Sequence, residues 1–534
     1  MSSNTNFLYI NIQQPRFRGL IVLIAFLLIT PSVSWAQIEC DTCGVKFSEN
    51  KFLDAYRKKA VFVTDSAESL LDKARLLINM GDDMQRIYSQ PDEALKYYLG
   101  AYDFLSDDAE LNFKVGKSLV MSVSEDKTSA IPFLRRAVEL NPNVNDSLSL
   151  LLGRAYHLNY QWDSAMIYYH QAEKKVGLKS DWKISKYIKE CESGKWYADK
   201  KNRTLIKNLG PAINSRFSDY GLMIDAAGKQ IFFTSRRHEF RSDNPDVRTH
   251  LTEHIYSAKV ENGKWSQPKP VEGLADDNQH NATVSLSDNG EHMILYREED
   301  LFVSHFGETG WSTPKKLSSK INSPYLETSA AFNNGGDTLY LVSDRPGESV
   351  GGLDIFIVTK ENGKWKYPDN IGEHINSEYD EEGVFVTADG QYLYFSSRGH
   401  DSIGGYDIFR CERKEDGSWG KPINMGMPLN TPDDDVYFVL EYNGRHGYYS
   451  SVRNGGYGEK DLYRVTLLGK EKPLPFDNEE EWLTEDAFER DEDRFAGPKI
   501  QELIQHIMNG TGTMLMGIDE VIQEVNKEAL LRKE

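Results

Sequence analysis

Residues 388–398 of this 534-residue chain read Ala-Asp-Gly-Gln-Tyr-Leu-Tyr-Phe-Ser-Ser-Arg, a turn followed by a strand. Asp-Gly favours a tight turn because glycine adopts positive φ without a steric penalty, and the apolar and aromatic run that follows suits a buried strand. The same unit recurs four more times, opened by Gly228, Gly290, Gly336 and Gly444. Five copies of one turn-plus-strand unit predict a repeated all-β architecture.

Other landmarks keep the same step along the chain. Ile-Asn-Ser at 321–323 recurs at 375–377 and, as Leu-Asn-Thr, at 429–431, which gives two intervals of 54 residues. Units of 46–62 residues, each with room for four strands, predict a β-propeller over residues 201–468. We expect five blades, with six as the alternative. The fifth unit lacks the Trp-x-x-Pro motif of the others, so the segment 204–208 is expected to supply its closing strand.

These motifs resemble the WD40-like, TolB-type propeller repeat, which pairs Asp-Gly-x-x-Leu-Tyr-Phe-Ser-Ser with Gly-Gly-x-Asp-Ile-Phe. The second motif contains Gly352 and Asp354, then Gly405 and Asp407, and Asp461 opens a degenerate copy. A catalytic pair of carboxylates would consist of unique residues with different tasks. An aspartate repeated beside a glycine turn is therefore interpreted as a structural acceptor of backbone hydrogen bonds.

A helical repeat precedes the strands. An Ala-x-x-x-large-x-x-Ala pattern occurs at 94–101, 130–137 and 165–172, the last from Ala165 to Ala172, and Gly153 and Tyr156 mark the helix before it. Small residues on one helical face allow two helices to approach closely. The pattern resembles tetratricopeptide repeats, best matched over 85–176 within a helical domain at 51–200. It implies an α-solenoid that binds protein partners, with an unrelated helical bundle as the alternative.

The N-terminal residues 1–36 predict a secretory signal peptide: basic residues, a ten-residue apolar run and a small-residue exit. A linker at 37–50 contains Cys40 and Cys43, which are expected to form a local disulfide or remain free thiols, with lipidation of Cys40 as the alternative. No later apolar run has spanning length, so the mature chain is expected to lack a transmembrane segment. These features predict an exported protein.

The charge balance excludes one class of partner. Sixty-two basic and 82 acidic side chains give a net charge of −20, which argues against nucleic-acid binding. The sequence shows no Walker loop, nucleophile elbow or complete metal-ligand motif, so no catalytic residues, no cofactor and no metal site are predicted, and the chain is expected not to be an enzyme. The acidic loops 380–382 and 433–435 leave calcium binding open.

The C-terminal residues fall into two segments. Residues 469–497 form an acidic linker with interspersed aromatic side chains, and 498–534 predict a helical tail. Together with the signal peptide and the two repeats, this order resembles cell-envelope proteins of Bacteroidota, including PorE-type components of the type IX secretion system. The usual OmpA-type domain is missing, however, which puts cell-wall anchoring in doubt.

The resemblance and the repeats lead to one functional expectation and one alternative. The expected protein is a non-enzymatic periplasmic scaffold at the outer membrane that binds envelope proteins through its helical groove and propeller face. The alternative is a carbohydrate-binding or glycan-active propeller protein. Unique carboxylates that face the central channel would favour that alternative.

Overall fold

A computed structural model describes residues 70–468, except 124–125, 177–183, 201, 238–251, 262, 275–279, 288–289, 334–335, 348 and 443. The predicted signal peptide, Cys40, Cys43, the acidic linker and the helical tail lie outside the described residues. The chain divides into two compact units. Among the described residues, one comprises 70–122 together with 129–148, and the other comprises 123–128 together with 149–468.

The described residues between 70 and 198 form seven α-helices. They are α1 (Leu70–Ile87), α2 (Pro91–Tyr102), α3 (Ala109–Val120), α4 (Ala130–Leu140), α5 (Leu148–Leu158), α6 (Trp162–Val176) and α7 (Ile184–Ala198). None of these helices is both long enough and apolar enough to cross a membrane.

Successive helices pack as pairs through a glycine on the first helix and a large side chain on the second. A Cβ atom added at any of these glycines would lie 2.5–2.6 Å from that side chain, so only glycine permits the close approach. The three contacts are Gly81–Tyr98, Gly116–Leu134 and Gly153–Tyr169. The helices are observed where the repeat predicts them, whereas their membership of a tetratricopeptide solenoid remains a prediction.

The third helix pair belongs to the same compact unit as the strands. Ala165 and Ala172 are fully buried, and Tyr156 stacks on Tyr168 with ring centroids 5.5 Å apart. The buried ring of His157 in α5 lies with Nε2 2.8 Å from the carbonyl oxygen of Ile403. Burial lowers the pKa of His157 to about 3, which keeps the ring neutral.

Twenty-three strands in the described residues form five antiparallel sheets, the blades of a β-propeller. Blade 1 contains β2 (Asp219–Ile224), β3 (Gln230–Ser235), β4 (His254–Glu261), β5 (Lys264–Trp265) and β6 (Lys269–Pro270). Blade 2 contains β7 (Ala282–Leu286), β8 (His292–Arg297), β9 (Asp300–Gly307), β10 (Gly310–Trp311) and β11 (Lys315–Lys316). Blade 3 contains β12 (Glu327–Phe332), β13 (Thr338–Ser343), β14 (Asp354–Glu361), β15 (Lys364–Trp365) and β16 (Asp369–Asn370). Blade 4 contains β17 (Glu381–Val386), β18 (Tyr392–Ser397), β19 (Asp407–Glu412) and β20 (Ile423–Asn424).

Blade 5 closes the ring with strands from both ends of the domain. It contains β21 (Asp435–Leu440), β22 (His446–Ser451) and β23 (Asp461–Leu467), and β1 (Thr204–Asn208) pairs antiparallel with β23 from Thr204↔Leu467 to Asn208↔Tyr463. The innermost strands β2, β7, β12, β17 and β21 contact one another in a closed circle. The five-bladed propeller and its closing strand are thereby confirmed, and the described residues contain no sixth blade.

The core of the propeller lies between neighbouring blades. Between blades 3 and 4, for example, the fully buried Phe395 and Phe409 pack with Ile375, Tyr340 and Trp419. Truncation of such an aromatic side chain to alanine costs about 3–5 kcal/mol. This packing holds the five innermost strands in place around the central channel.

Candidate functional site

The central channel contains a cavity of about 810 Å³ that residues from all five blades line. Each innermost strand carries a β-bulge near its start, where the pairing with the next strand shifts register. A bulge turns the following side chain away from regular alternation. Every blade therefore departs from regular alternation at this point of the channel wall, and the residue at each bulge decides what faces the cavity.

One of the bulges is occupied by an unusual residue. Gly221 in blade 1 and Gly383 in blade 4 have φ values of +62° and +60° at this position, and Tyr437 in blade 5 has φ +60°. A bulky side chain in the left-handed region is strained, and such strain is concentrated at functional sites. The ring of Tyr437 lines the cavity and stacks on Tyr220 across the blade boundary, with centroids 5.8 Å apart.

Gly383 explains how Tyr437 fits. A Cβ atom at position 383 would lie 3.0 Å from both the backbone nitrogen and Cδ1 of Tyr437. Gly383 of blade 4 therefore leaves the space that Tyr437 of blade 5 occupies, so the tyrosine fits only because position 383 is a glycine.

Glu382 precedes this glycine and lines the cavity from blade 4. It is 7% exposed and accepts a hydrogen bond from the hydroxyl of Thr328 in blade 3, with an O–O distance of 2.8 Å. Burial raises the pKa of Glu382 to about 7, although the hydroxyl partly offsets the rise. Near neutral pH a large fraction of this carboxyl group therefore carries a proton and can donate it.

Glu253 lines the same cavity from blade 1 in a different environment. Its carboxylate forms an ion pair with Arg236, with an N–O distance of 2.7 Å, and lies 3.4 Å from Nδ1 of His280. Both glutamates also affect Tyr437. Burial, together with the negative charges of Glu382 and Glu253, raises the pKa of the Tyr437 hydroxyl well above its usual value. The cavity therefore contains one protonatable carboxyl group and one ion-paired carboxylate.

The other end of the cavity is acidic. Asp225, Asp389 and Glu441 line it where the innermost strands end, and Arg410 is the single lysine or arginine among the described lining residues. The guanidinium of Arg410 lies 4.9 Å from the ring centroid of Tyr392. With five carboxyl groups and one guanidinium in its lining, the cavity disfavours anionic ligands.

The repeated aspartates lie at blade corners and do not line the cavity. Each accepts hydrogen bonds from two kinds of donor: backbone N–H groups of the turn before it and an asparagine side chain. For Asp354 the donors are Val350, Gly351 and Asn370; for Asp407, Ile403 and Asn424; for Asp461, Tyr457, Gly458 and Asn208. These hydrogen bonds connect each aspartate to the turn before it, and its structural role stays a prediction.

The neighbouring glycines and acidic loops form a second part of each corner. A Cβ atom at Gly352 would overlap the carboxylate of Asp380, and one at Gly405 would overlap that of Asp434. Asp380 accepts a hydrogen bond from the backbone of Leu353 at 3.2 Å. The loops considered for calcium therefore bind backbone and side-chain donors, and the described residues contain no group of three or more potential metal ligands.

Sequence reasoning missed Glu253, Glu382 and Tyr437. Glu382 belongs to the acidic loop 380–382, which the sequence offered as a possible calcium ligand and not as a channel residue. The signal that could have found the site is the aligned starts of blades 1, 4 and 5, where Asp-Tyr-Gly, Glu-Glu-Gly and Asp-Val-Tyr occupy the same repeat position. At the third position of this triplet blades 1 and 4 have glycine, whereas blade 5 has Tyr437. The repeat does not require a tyrosine there, so the exchange points to a functional residue.

Several solved structures are similar to part of this chain at low sequence identity. No protein-family model and no curated protein sequence matches the chain. An α-L-arabinofuranosidase from Lactobacillus brevis is 17% identical with a TM-score of 0.31, over 50% of this chain and 98% of that one. A protein of Bacteroides uniformis assigned as a 6-phosphogluconolactonase is 12% identical with a TM-score of 0.28, over 45% and 78%. Prolyl oligopeptidase B from Galerina marginata is 13% identical with a TM-score of 0.26, over 44% and 31%.

The prediction that this chain is not an enzyme was wrong. Similar solved structures are described as enzymes, including a lactonase, an arabinofuranosidase and puromycin hydrolase. Their low identities and TM-scores assign no activity to this chain. The missing Walker loop and nucleophile elbow rule out particular chemistries only, and they leave carboxyl-based catalysis in a channel open.

Proposed function

We propose that this protein is a carbohydrate-active propeller protein whose central channel binds a glycan and cleaves a glycosidic bond. The observation that carries the proposal is the pair of unlike carboxyl groups in one cavity. Glu382 is buried with a raised pKa, whereas Glu253 forms an ion pair with Arg236. Glycoside hydrolysis uses this division of labour between a proton donor and a carboxylate.

In the proposed mechanism Glu382 protonates the leaving glycosidic oxygen. Thr328 donates its hydroxyl hydrogen to one carboxyl oxygen of Glu382, which orients the group. Glu253 acts as the carboxylate that activates water or attacks the sugar, and Arg236 and His280 fix its orientation. The stacked rings of Tyr220 and Tyr437 supply an apolar face against which a sugar ring can pack.

The charge of the lining limits the substrate class. Uronic, sialylated or sulfated glycans would meet carboxyl groups at both ends of the cavity, with Arg410 as the one opposing lysine or arginine among the described lining residues. We therefore expect neutral or amine-bearing glycans to be the preferred substrates.

The proposal is tested by incubating the full-length protein with neutral hemicelluloses, chitosan and polygalacturonate and measuring new reducing ends. We expect cleavage of a neutral or amine-bearing polymer and none of polygalacturonate. Glu382→Gln should lower kcat at least a hundredfold, because the proton donor is lost. Glu361→Gln, at an exposed position of blade 3, is the matched control and should leave kcat unchanged.

The pH profile gives a second readout. Activity that needs protonated Glu382 should fall as the pH rises through about 7. Binding without cleavage, unaffected by Glu382→Gln, would reduce the role to glycan recognition. If the protein neither bound nor cleaved any of these polymers, the proposal would be refuted.

We further propose that the helices bind a protein partner and place this activity at the cell envelope of a Bacteroidota host. Support comes from the glycine-to-large-residue contacts in the helix pairs, which suit a tetratricopeptide-like repeat, and from the predicted export signal. In-cell cross-linking of the tagged protein should recover outer-membrane or type IX secretion components joined to residues 85–176. Recovery of the chain alone would refute the adaptor role without touching the glycan proposal.

A further inference from the structure

Two histidines face each other on the surface of blade 2, outside the lining of the cavity. His292 begins β8 and His305 lies near the end of β9, and the two residues are direct partners in the antiparallel ladder. Both are exposed, and their Nδ1 atoms lie 3.0 Å apart. The ring centroids are 4.6 Å apart and the ring planes are nearly perpendicular.

The distance between the two nitrogens matches what one shared metal ion requires. Imidazole nitrogens bind zinc at about 2.0–2.1 Å, so two of them at angles between 90° and 109° lie about 2.9–3.3 Å apart. In the metal-free pair one Nδ1 donates a hydrogen to the other. A rotation of the exposed rings, with the donor proton relocated to Nε2, directs both lone pairs at one ion.

The backbone positions of the two residues are held by neighbouring serines. The amide of His292 donates to the hydroxyl of Ser287 at 2.9 Å, and the amide of His305 donates to the hydroxyl of Ser312 at 3.0 Å. Ordered strands with paired ligands reduce the entropy that metal binding must overcome. The pair therefore presents a ready-made two-nitrogen chelate.

We propose that His292 and His305 form a binding site for a divalent transition-metal ion of the zinc, nickel and copper class. Imidazole suits these ions, and hard ions such as calcium prefer oxygen. Water completes the coordination, since the described residues offer no group of three or more potential ligands. Ser287 lines the channel cavity, so the ion would bind one turn away from the acidic end of the channel. The site does not depend on the proposed glycan activity.

Calorimetric titration of the full-length, metal-free protein with nickel sulfate tests the site, provided that the protein carries no polyhistidine tag. We expect binding at this site that His292→Gln or His305→Gln weakens at least tenfold. His374→Gln, at another exposed histidine of the propeller, is the matched control and should bind like the parent. The variants change exposed side chains, and circular dichroism checks that they fold.

The double variant distinguishes one shared ion from two independent weak sites. If both imidazoles bind the same ion, His292→Gln with His305→Gln should bind no more weakly than the worse single variant. Titrations of the single variants that superimpose on the parent would overturn the proposal.

Discussion

Blades 3 and 4 share one repeat pattern, but they treat an equivalent buried carboxyl group differently. In blade 3, Glu327 forms an ion pair with Arg345 at 3.0 Å. In blade 4, Gly399 occupies the position of that arginine. Glu381 receives hydrogen bonds from Ser377 and Ser397, as Glu327 does from the equivalent serines of blade 3. Burial consequently raises the pKa of Glu381 to about 8. The carboxyl group is therefore present in both blades, whereas the arginine that neutralises it is present only in blade 3 of this pair.

Arg345 also makes a hydrogen bond to a backbone carbonyl, and in blade 4 a histidine ring takes the place of the arginine in this contact. Arg345 donates to the carbonyl oxygen of Ile321 at 2.8 Å, and in blade 4 the ring of His400 lies 2.9 Å from the carbonyl oxygen of Ile375. The next residue along each innermost strand also differs, since blade 3 has Thr328 where blade 4 has Glu382. The candidate site therefore lies where blade 4 departs from the repeat, which suggests that departures from the repeat carry function while its regular positions carry stability.

The largest loss at a single pH is expected from removing the counter-charge in blade 3. Arg345→Met leaves Glu327 buried and unpaired, and breaking such a pair costs about 3 kcal/mol or more. Urea unfolding at pH 7 measures the loss. Lys366→Met removes a cation from an exposed pair with Glu361 in the same blade and should cost less than about 0.5 kcal/mol. Equal losses in both variants would show that the buried pair has no special role.

The next effect concerns the protonation of Glu381 in blade 4, which should make the free energy of unfolding depend on pH. Because the folded pKa of Glu381, about 8, exceeds its ordinary value of 4.5, the folded state binds a proton that the unfolded state releases between these pH values. Its contribution to stability is complete below about pH 4.5 and is lost as the pH rises through 8. The free energy of unfolding should fall by up to about 1.4 kcal/mol per pH unit in this window from this group alone.

Glu381→Gln should flatten that slope, because glutamine carries no proton to lose. The matched change in blade 3, Glu327→Gln, should instead destabilise the protein at every pH in the window, since it leaves Arg345 without its partner. Denaturant titrations at pH 5, 6.5 and 8 separate the two outcomes. An unchanged slope in Glu381→Gln would mean that the raised pKa does not govern the stability of blade 4.

The smallest effect concerns the glycine that makes room for Tyr437. Gly383→Ala adds a Cβ in the left-handed region and 3.0 Å from the backbone of Tyr437, so we expect a loss of about 2 kcal/mol. Gly363→Ala in blade 3 has a similar φ of +73° and open space around it, and should cost only about 1 kcal/mol. Thermal unfolding of both variants gives the comparison. Identical losses in the two variants would show that the strained backbone conformation alone destabilises Gly383→Ala, with no contribution from the close contact with Tyr437.

Much of the architecture could be predicted from local patterns. The 54-residue interval between Ile321 and Ile375 reflects one blade, and the missing motif of the fifth unit pointed to a closing strand that β1 provides. The candidate site could not be predicted in this way. Glu253 and Glu382 are separated by 129 positions, and only the circular arrangement of the innermost strands brings both to one cavity.

The sequence by itself determined the repeat, narrowed the propeller to five or six blades and predicted a structural role for Asp354, Asp407 and Asp461, because turns, strand alternation and short-range hydrogen bonds depend on nearby residues. Only the tertiary structure decided which carboxyl groups lose water, which gain a counter-charge and which side chains meet across blades. The raised pKa of Glu382 comes from burial, and the contact of His292 with His305 comes from strand register. Burial and register are properties of the assembled propeller, so no single repeat contains them.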